Sequence, residues 1–241
     1  MDLVFANLIL AAAFFFDGVF GFGAGLISLP LLSQLYPLKV VVTLLLCIQV
    51  YTAFAAFNAR KEIDWEIIKA AGPAALGGGL LGTFALSNLD DGNLKIVLGF
   101  LILAYLLKEL FFKDLKFGEK NRKALGIIGG GLGGLLQGAF AVGGPGFLIF
   151  LNEVGLKGPA FRASILCLFF ICNVVRAFTS AGTGLFTEEV FILFAQVSPV
   201  VILAIYLGVK AHLAVPASGY QKMIYLILAY SSFNFLKEAF Y

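Results

Sequence analysis

Few residues in this chain could do chemistry, and nearly all of them lie in apolar surroundings. Arg176 falls inside the apolar stretch 160–181, and Asp17 stands just before the run Gly21-Phe22-Gly23-Ala24-Gly25. A charge inside an apolar segment of membrane length is expensive, so it usually faces a cavity or a counter-ion. Arg176 therefore reads as an anion ligand, with a structural pair or a side chain snorkelling to the interface as alternatives. A carboxyl at membrane depth can take up and release a proton, which makes Asp17 a candidate for proton coupling. A helix-end cap is the other reading of it. Ser28, Thr43, Gln49, Asn58, Asn152, Ser164, Asn173 and Thr179 can supply neutral hydrogen bonds to a substrate or between helices. Thr43 and Ser164 are singled out because they match each other between the halves, although serine and threonine in membrane helices more often bond their own backbone.

Two glycine-rich interruptions would have to position these groups. The first is the run just named, leading into Leu26 to Pro30; the second is Ala141-Val142-Gly143-Gly144-Pro145-Gly146, leading into Phe147 to Leu151. Glycine inside a helix is disfavoured and proline removes an amide donor, so both runs predict broken helices. Unpaired backbone at membrane depth survives where protein or a water-filled cavity satisfies it, and transporters place such discontinuous helices around their substrate. The first amides of a helix lack internal partners and its dipole makes that end positive. The expected anion-binding set is therefore Gly23, Ala24, Gly25, Gly143, Gly144 and Gly146, joined by Thr43, Ser164 and Arg176, with Asp17 for coupling. Close helix packing is the competing explanation of the glycines.

The composition requires a membrane. With 61% hydrophobic and 13% charged residues among 241, the chain departs from soluble proteins, where about 25% charged residues is usual. The mean hydropathy is +0.98. The first apolar run has no basic residue before it and no small-residue cleavage site after it, so it is expected to remain in the mature chain. Cys47, Cys167 and Cys172 show neither CxxC spacing nor a His-Cys cluster, and no metal or other cofactor is expected. No HExxH, nucleophile triad or complete phosphate-binding loop occurs, so an enzyme finds no supporting constellation.

Apolar stretches fall at 3–20, 24–36, 40–59, 67–87, 94–112, 123–142, 145–155, 160–181, 189–211 and 220–239. Crossing the hydrocarbon core takes about 20 helical residues, and the two stretches that directly follow the glycine runs are too short. The halves of the chain also resemble one another. Asp17-Gly18 matches Gln137-Gly138 at an offset of 120, Thr43 matches Ser164 at 121, and Gly72-Pro73 and Gly82 match Ser198-Pro199 and Gly208 at 126. Slowly growing offsets are what two copies of one unit with different loop lengths produce. The expected domains are 1–117, with its broken-helix motif at 20–32, and 118–241, with its motif at 138–151.

Basic residues indicate how the copies are oriented, because cytoplasmic loops are enriched in Lys and Arg. If each break only kinks a crossing, the basic residues split ten to six. If each break makes a hairpin, thirteen share one face against Lys39, Lys95 and Lys237 on the other, with Arg176 inside a span. The hairpin arrangement is therefore expected. It makes the repeats inverted, puts both termini outside, and makes 113–123 a cytoplasmic linker. The predicted fold class is an all-α polytopic membrane protein of two inverted repeats, each a glycine-broken helical hairpin plus three transmembrane helices.

The chain resembles the TauE/SafE family of anion exporters and permeases. The likeness is carried by GFGAGLISLPLL at Gly21 to Leu32, GAFAVGGPGFLIF at Gly138 to Phe150, and the Ala163-Ser164-Ile165-Leu166 stretch. The resemblance implies secondary transport of sulfite, sulfonates or related small organosulfur anions across the inner membrane. The expected partners are a small anionic substrate, the lipid bilayer and protons; nucleic acid is not expected, and a homodimer is left open. A transporter or channel for another small anion and a non-transport intramembrane protein are the remaining alternatives.

Overall fold

The computed structural model describes residues 2–20, 23–50, 57–111, 122–211 and 217–240. These residues form ten α-helices: α1 (Asp2–Phe20), α2 (Ala24–Leu32), α3 (Leu38–Ile48), α4 (Trp65–Asn88), α5 (Asp91–Phe111), α6 (Arg122–Phe140), α7 (Gly144–Glu153), α8 (Gly158–Gly182), α9 (Glu188–Ala211) and α10 (Ala217–Phe240). Four of them, α1, α4, α8 and α9, are long and apolar enough to cross a membrane by length and composition. Ile202, Phe178 and Leu81 point outward with more than 60% of their surface exposed, which suits lipid and would be unfavourable in water. The chain is an all-helical, polytopic membrane protein. The 113–123 linker lies mostly, and Gly21-Phe22 wholly, outside the described residues.

One expected span is interrupted. The stretch 40–59 reads as one apolar span long enough to cross, but α3 ends at Ile48 and Gln49-Val50 form a turn. Neither glycine nor proline marks this point, so nothing in the local sequence announces it.

The chain divides into two compact units, each assembled from discontinuous stretches. Unit 1 is Met1–Leu44, Leu89–Asp114 and Thr187–Tyr241; unit 2 is Leu45–Asn88 and Leu115–Phe186. Within unit 1, α1 packs on α9 and α5 on α10, while α2 contacts both α1 and α10. Gly18 and Gly208 bring α1 and α9 together. A Cβ on Gly18 would lie 2.7 Å from the carbonyl oxygen of Ile205 and 3.0 Å from the nitrogen of Val209, and one on Gly208 would collide with the carbonyl of Phe15. The Ser232 hydroxyl donates to the Gly99 carbonyl at 2.9 Å, tying α10 to α5. Asp91 Oδ2 accepts the amide of Leu38 at 2.8 Å and so satisfies a donor at the start of α3.

Unit 2 is built on α6. Glycines 126, 130, 134 and 138 recur every fourth residue and form one stripe on its surface. Along the stripe they face Ala70, Ala71, Ala75 and Gly79 in turn, so α4 and α6 run parallel with their backbones nearly touching. The adjacent glycines 129 and 133 form a second stripe, covered by Phe150 and Phe147 of α7. Later residues of α7 meet earlier residues of α6, so α7 turns at the break and runs back along α6 as a hairpin. Phe147 also meets the ring of Phe169 edge-on at 5.5 Å and joins Ile68, Ala75, Leu151, Leu168 and Cys172 in the unit's core.

The two helix crossings correspond. In unit 2 a Cβ on Gly138 would strike the oxygen of Gly79 and the nitrogen of Thr83; adding 126 to those numbers gives Ile205 and Val209, the atoms that face Gly18 in unit 1. Gly82 faces the carbonyl of Leu135, just as Gly208 faces that of Phe15.

Candidate functional site

In unit 2 the helix break and the buried cation are joined by side-chain amides. Gln137, three residues before the end of α6, is fully buried, and its Oε1 accepts the amide of Gly143 at 2.8 Å. Its Nε2 donates to Gln49 Oε1 and to Asn173 Oδ1, both at 3.0 Å. Arg176 Nη1 donates to the same two oxygens, at 3.0 Å to Asn173 and 3.4 Å to Gln49. Two donors and two acceptors thus close a polar ring among buried residues. Asn173 and Arg176, three residues apart, share a face of α8. Gln49 comes from the turn after α3, which is what that interruption delivers.

Arg176 sits toward the carboxyl end of α8 and is 1% exposed. That burial excludes the snorkelling reading. Bonds to ionised groups are stronger than neutral ones, so the ring holds its guanidinium firmly in place.

The second break packs tightly except at one point. A Cβ on Gly143 would lie 2.7 Å from the Gln137 Cβ and from the Gly133 oxygen, and one on Gly146 would lie 2.6 Å from Gly133 Cα. These two glycines are therefore required for packing. Gly144 is different, since a Cβ there meets only the Phe169 ring at 4.0 Å. Phe147 N–H returns to Gly143 O at 3.2 Å, so helix geometry leaves the amides of Gly144 and Gly146 without intrahelical acceptors. Pro145 has no amide to lose at this position. The turn into α7 passes through Ala141 at φ 57, a left-handed conformation uncommon for alanine.

Unit 1 repeats the capping arrangement with a different side chain. Asp17 Oδ1 accepts the amide of Ala24, the first residue of α2, at 3.2 Å. Asp17 is 8% exposed and holds its helix start as Gln137 does in unit 2. Gly23 precedes α2 at φ 110, where a side chain would be strained. Ala24 and Gly25 are buried.

The two hydroxyls singled out from sequence are each engaged by backbone groups. Thr43 donates to the Lys39 carbonyl at 2.8 Å, one turn back on its own helix. Ser164 is fully buried and accepts the amide of Asp64 at 3.2 Å, steadying the entry to α4. Twelve residues separate it from Arg176, about 18 Å along the α8 axis. Gln49 and Asn173, by contrast, emerge as central. A groove of about 710 Å³ between α4, α6 and α7, rimmed by Lys69, Lys123 and Glu66, contains none of the residues expected from sequence.

The model of the sulfite exporter TauE/SafE family matches residues 6–235. The chain belongs to the TauE/SafE family. It is thus a transporter rather than an enzyme, and the family match runs through both glycine breaks and the amide ring. A relative from Cupriavidus necator, described as a probable sulfite/organosulfonate exporter TauE, is 27% identical over 214 residues, covering 86% of this chain and 83% of its own. No solved structure matches.

Proposed function

We propose that this TauE/SafE protein is a secondary transporter of sulfite or small organosulfonates across the inner membrane, working by alternating access. The observation that carries this reading is the buried guanidinium of Arg176, held by the amide ring whose Gln137 also caps the break before α7. An anion at the amino end of α7 would meet the amides of Gly144 and Gly146, the positive helix end, and the positive charge of Arg176. Water exclusion strengthens each of these attractions. A Cβ at Gly144 would meet only the Phe169 ring, at 4.0 Å, so no neighbour presses on the backbone at that point. The relative from Cupriavidus necator supports sulfur oxyanions as the class.

The corresponding glycine crossings support a duplicated unit, with copies at 1–117 and 118–241 and an inverted relation argued from the basic loops. By that correspondence α2 offers the amides of Gly25 and Leu26, while Asp17 is the carboxylate placed for proton coupling. The termini lie outside and the 113–123 linker in the cytoplasm.

The test is thermal stabilisation of purified protein by sulfite, thiosulfate, sulfoacetate, taurine and sulfate, followed by flux of the best binder into proteoliposomes. Selective stabilisation with saturable flux is expected. Flux without saturation would indicate a channel, and no response to any of the anions would remove the reading.

A further inference from the structure

We infer that Gln137 is a specificity-determining positioning residue, whose neutral carboxamide keeps the break in unit 2 selective for anions. The inference rests on the anion site proposed at α7 and adds how its sign is set. One planar side chain performs two tasks there. Its oxygen fixes the amide of Gly143, and its nitrogen fixes the two oxygens, Gln49 Oε1 and Asn173 Oδ1, that orient Arg176. The orientation of the carboxamide is decided by these partners, because Gly143 N–H needs an acceptor and the two amide oxygens need a donor. The side chain therefore joins the positive helix end to the guanidinium in a fixed arrangement.

The matched position in unit 1 shows that the capping task does not require an amide. Asp17 caps Ala24 with a carboxylate, so a carboxylate at 137 could hold Gly143 equally well. It would, however, present oxygens to the oxygens of Gln49 and Asn173, and it would place a negative charge inside the ring that contains Arg176. Capping is thus served by either side chain, but in the ring around Arg176 only the neutral one leaves the guanidinium charge free to act on an anion. This separates the specificity role from a merely structural one.

The experiment measures the affinity of purified wild-type, Gln137→Glu, Asn173→Asp and Gln49→Glu proteins for methanesulfonate by calorimetry, alongside the melting temperature of each without ligand. Asn173→Asp and Gln49→Glu keep the acceptor oxygens and leave the cap of Gly143 untouched, so they carry the test if Gln137→Glu does not fold. The expected result is a loss of affinity on the order of 100-fold in every folded variant, because each brings like charge to the anion. A solely structural role would lower the melting temperature and leave the affinity of folded protein unchanged. Any folded variant that binds within about threefold of wild type overturns the inference and leaves the proposed function standing. A wild-type protein that binds no sulfonate overturns both.

Discussion

The carboxamide oxygen of Gln137 lies 2.8 Å from the backbone nitrogen of Gly143, and it thereby closes a six-residue loop across the point where α6 gives way to α7. The bond satisfies a donor that the helix cannot satisfy itself. It also means that α7 begins where Gln137 dictates, and that the buried ring around Arg176 is held in the same frame.

Replacing Gln137 by Leu keeps the bulk and removes all three hydrogen bonds. Buried polar groups left unsatisfied cost about 1–3 kcal/mol each, reduced where neighbours relax, so a total loss of about 2–4 kcal/mol is expected. Equilibrium unfolding in mild detergent measures it, and a variant as stable as wild type would contradict the ring.

Two neighbouring glycines on α6 should respond in opposite ways to the same change. A Cβ at Gly130 collides with the backbone oxygen of Ala71, whereas one at Gly131 meets nothing within 4 Å. Gly130→Ala should separate α4 from α6 and lower the melting temperature severely. Gly131→Ala should be neutral or stabilise by up to about 1 kcal/mol through helix propensity. Equal effects would mean that the two helices do not approach as described.

Arg176→Gln retains a donor to Asn173 but removes the charge. The protein should fold and should lose at least about 90% of its affinity for sulfite, given that charge-assisted contacts are roughly twice as strong as neutral ones. Thermal-shift titration provides the readout, and undiminished affinity would take Arg176 out of the binding site.

Asp17→Asn separates two roles. Asparagine caps a helix start about as well as aspartate, so α2 should remain in place. Uptake into proteoliposomes should then lose its dependence on an imposed pH gradient while exchange of anion for anion persists. Dependence retained in full would confine Asp17 to the capping that Ala24 N–H reports.

How far the sequence foretold this arrangement depends on the residue type. Both breaks were legible because glycine and proline act through the backbone, and the helices on either side of them fall within a few residues of the expected stretches. Arg176 was legible because a charge in an apolar stretch stands out. Gln49 and Asn173 could be named only as hydrogen-bonding groups, since their importance comes from converging on Gln137 and Arg176 across three separate chain segments. The turn at Gln49 left no trace in composition. The four-residue glycine spacing on α6 was present throughout in the sequence, but it acquires meaning only once Ala71 and Ala75 are known to face it.

The length of α7 has an electrical consequence. Ten residues rise about 15 Å, half of a hydrocarbon layer roughly 30 Å thick, and the charged residues Glu153 and Lys157 lie at and just past its carboxyl end. At the anion site proposed for the other end, a monovalent cargo would have crossed about half of the transmembrane voltage drop. Occupancy of that proposed site would shift by about 1 kcal/mol per 100 mV, so an energised membrane by itself would tilt the direction in which the cargo is released.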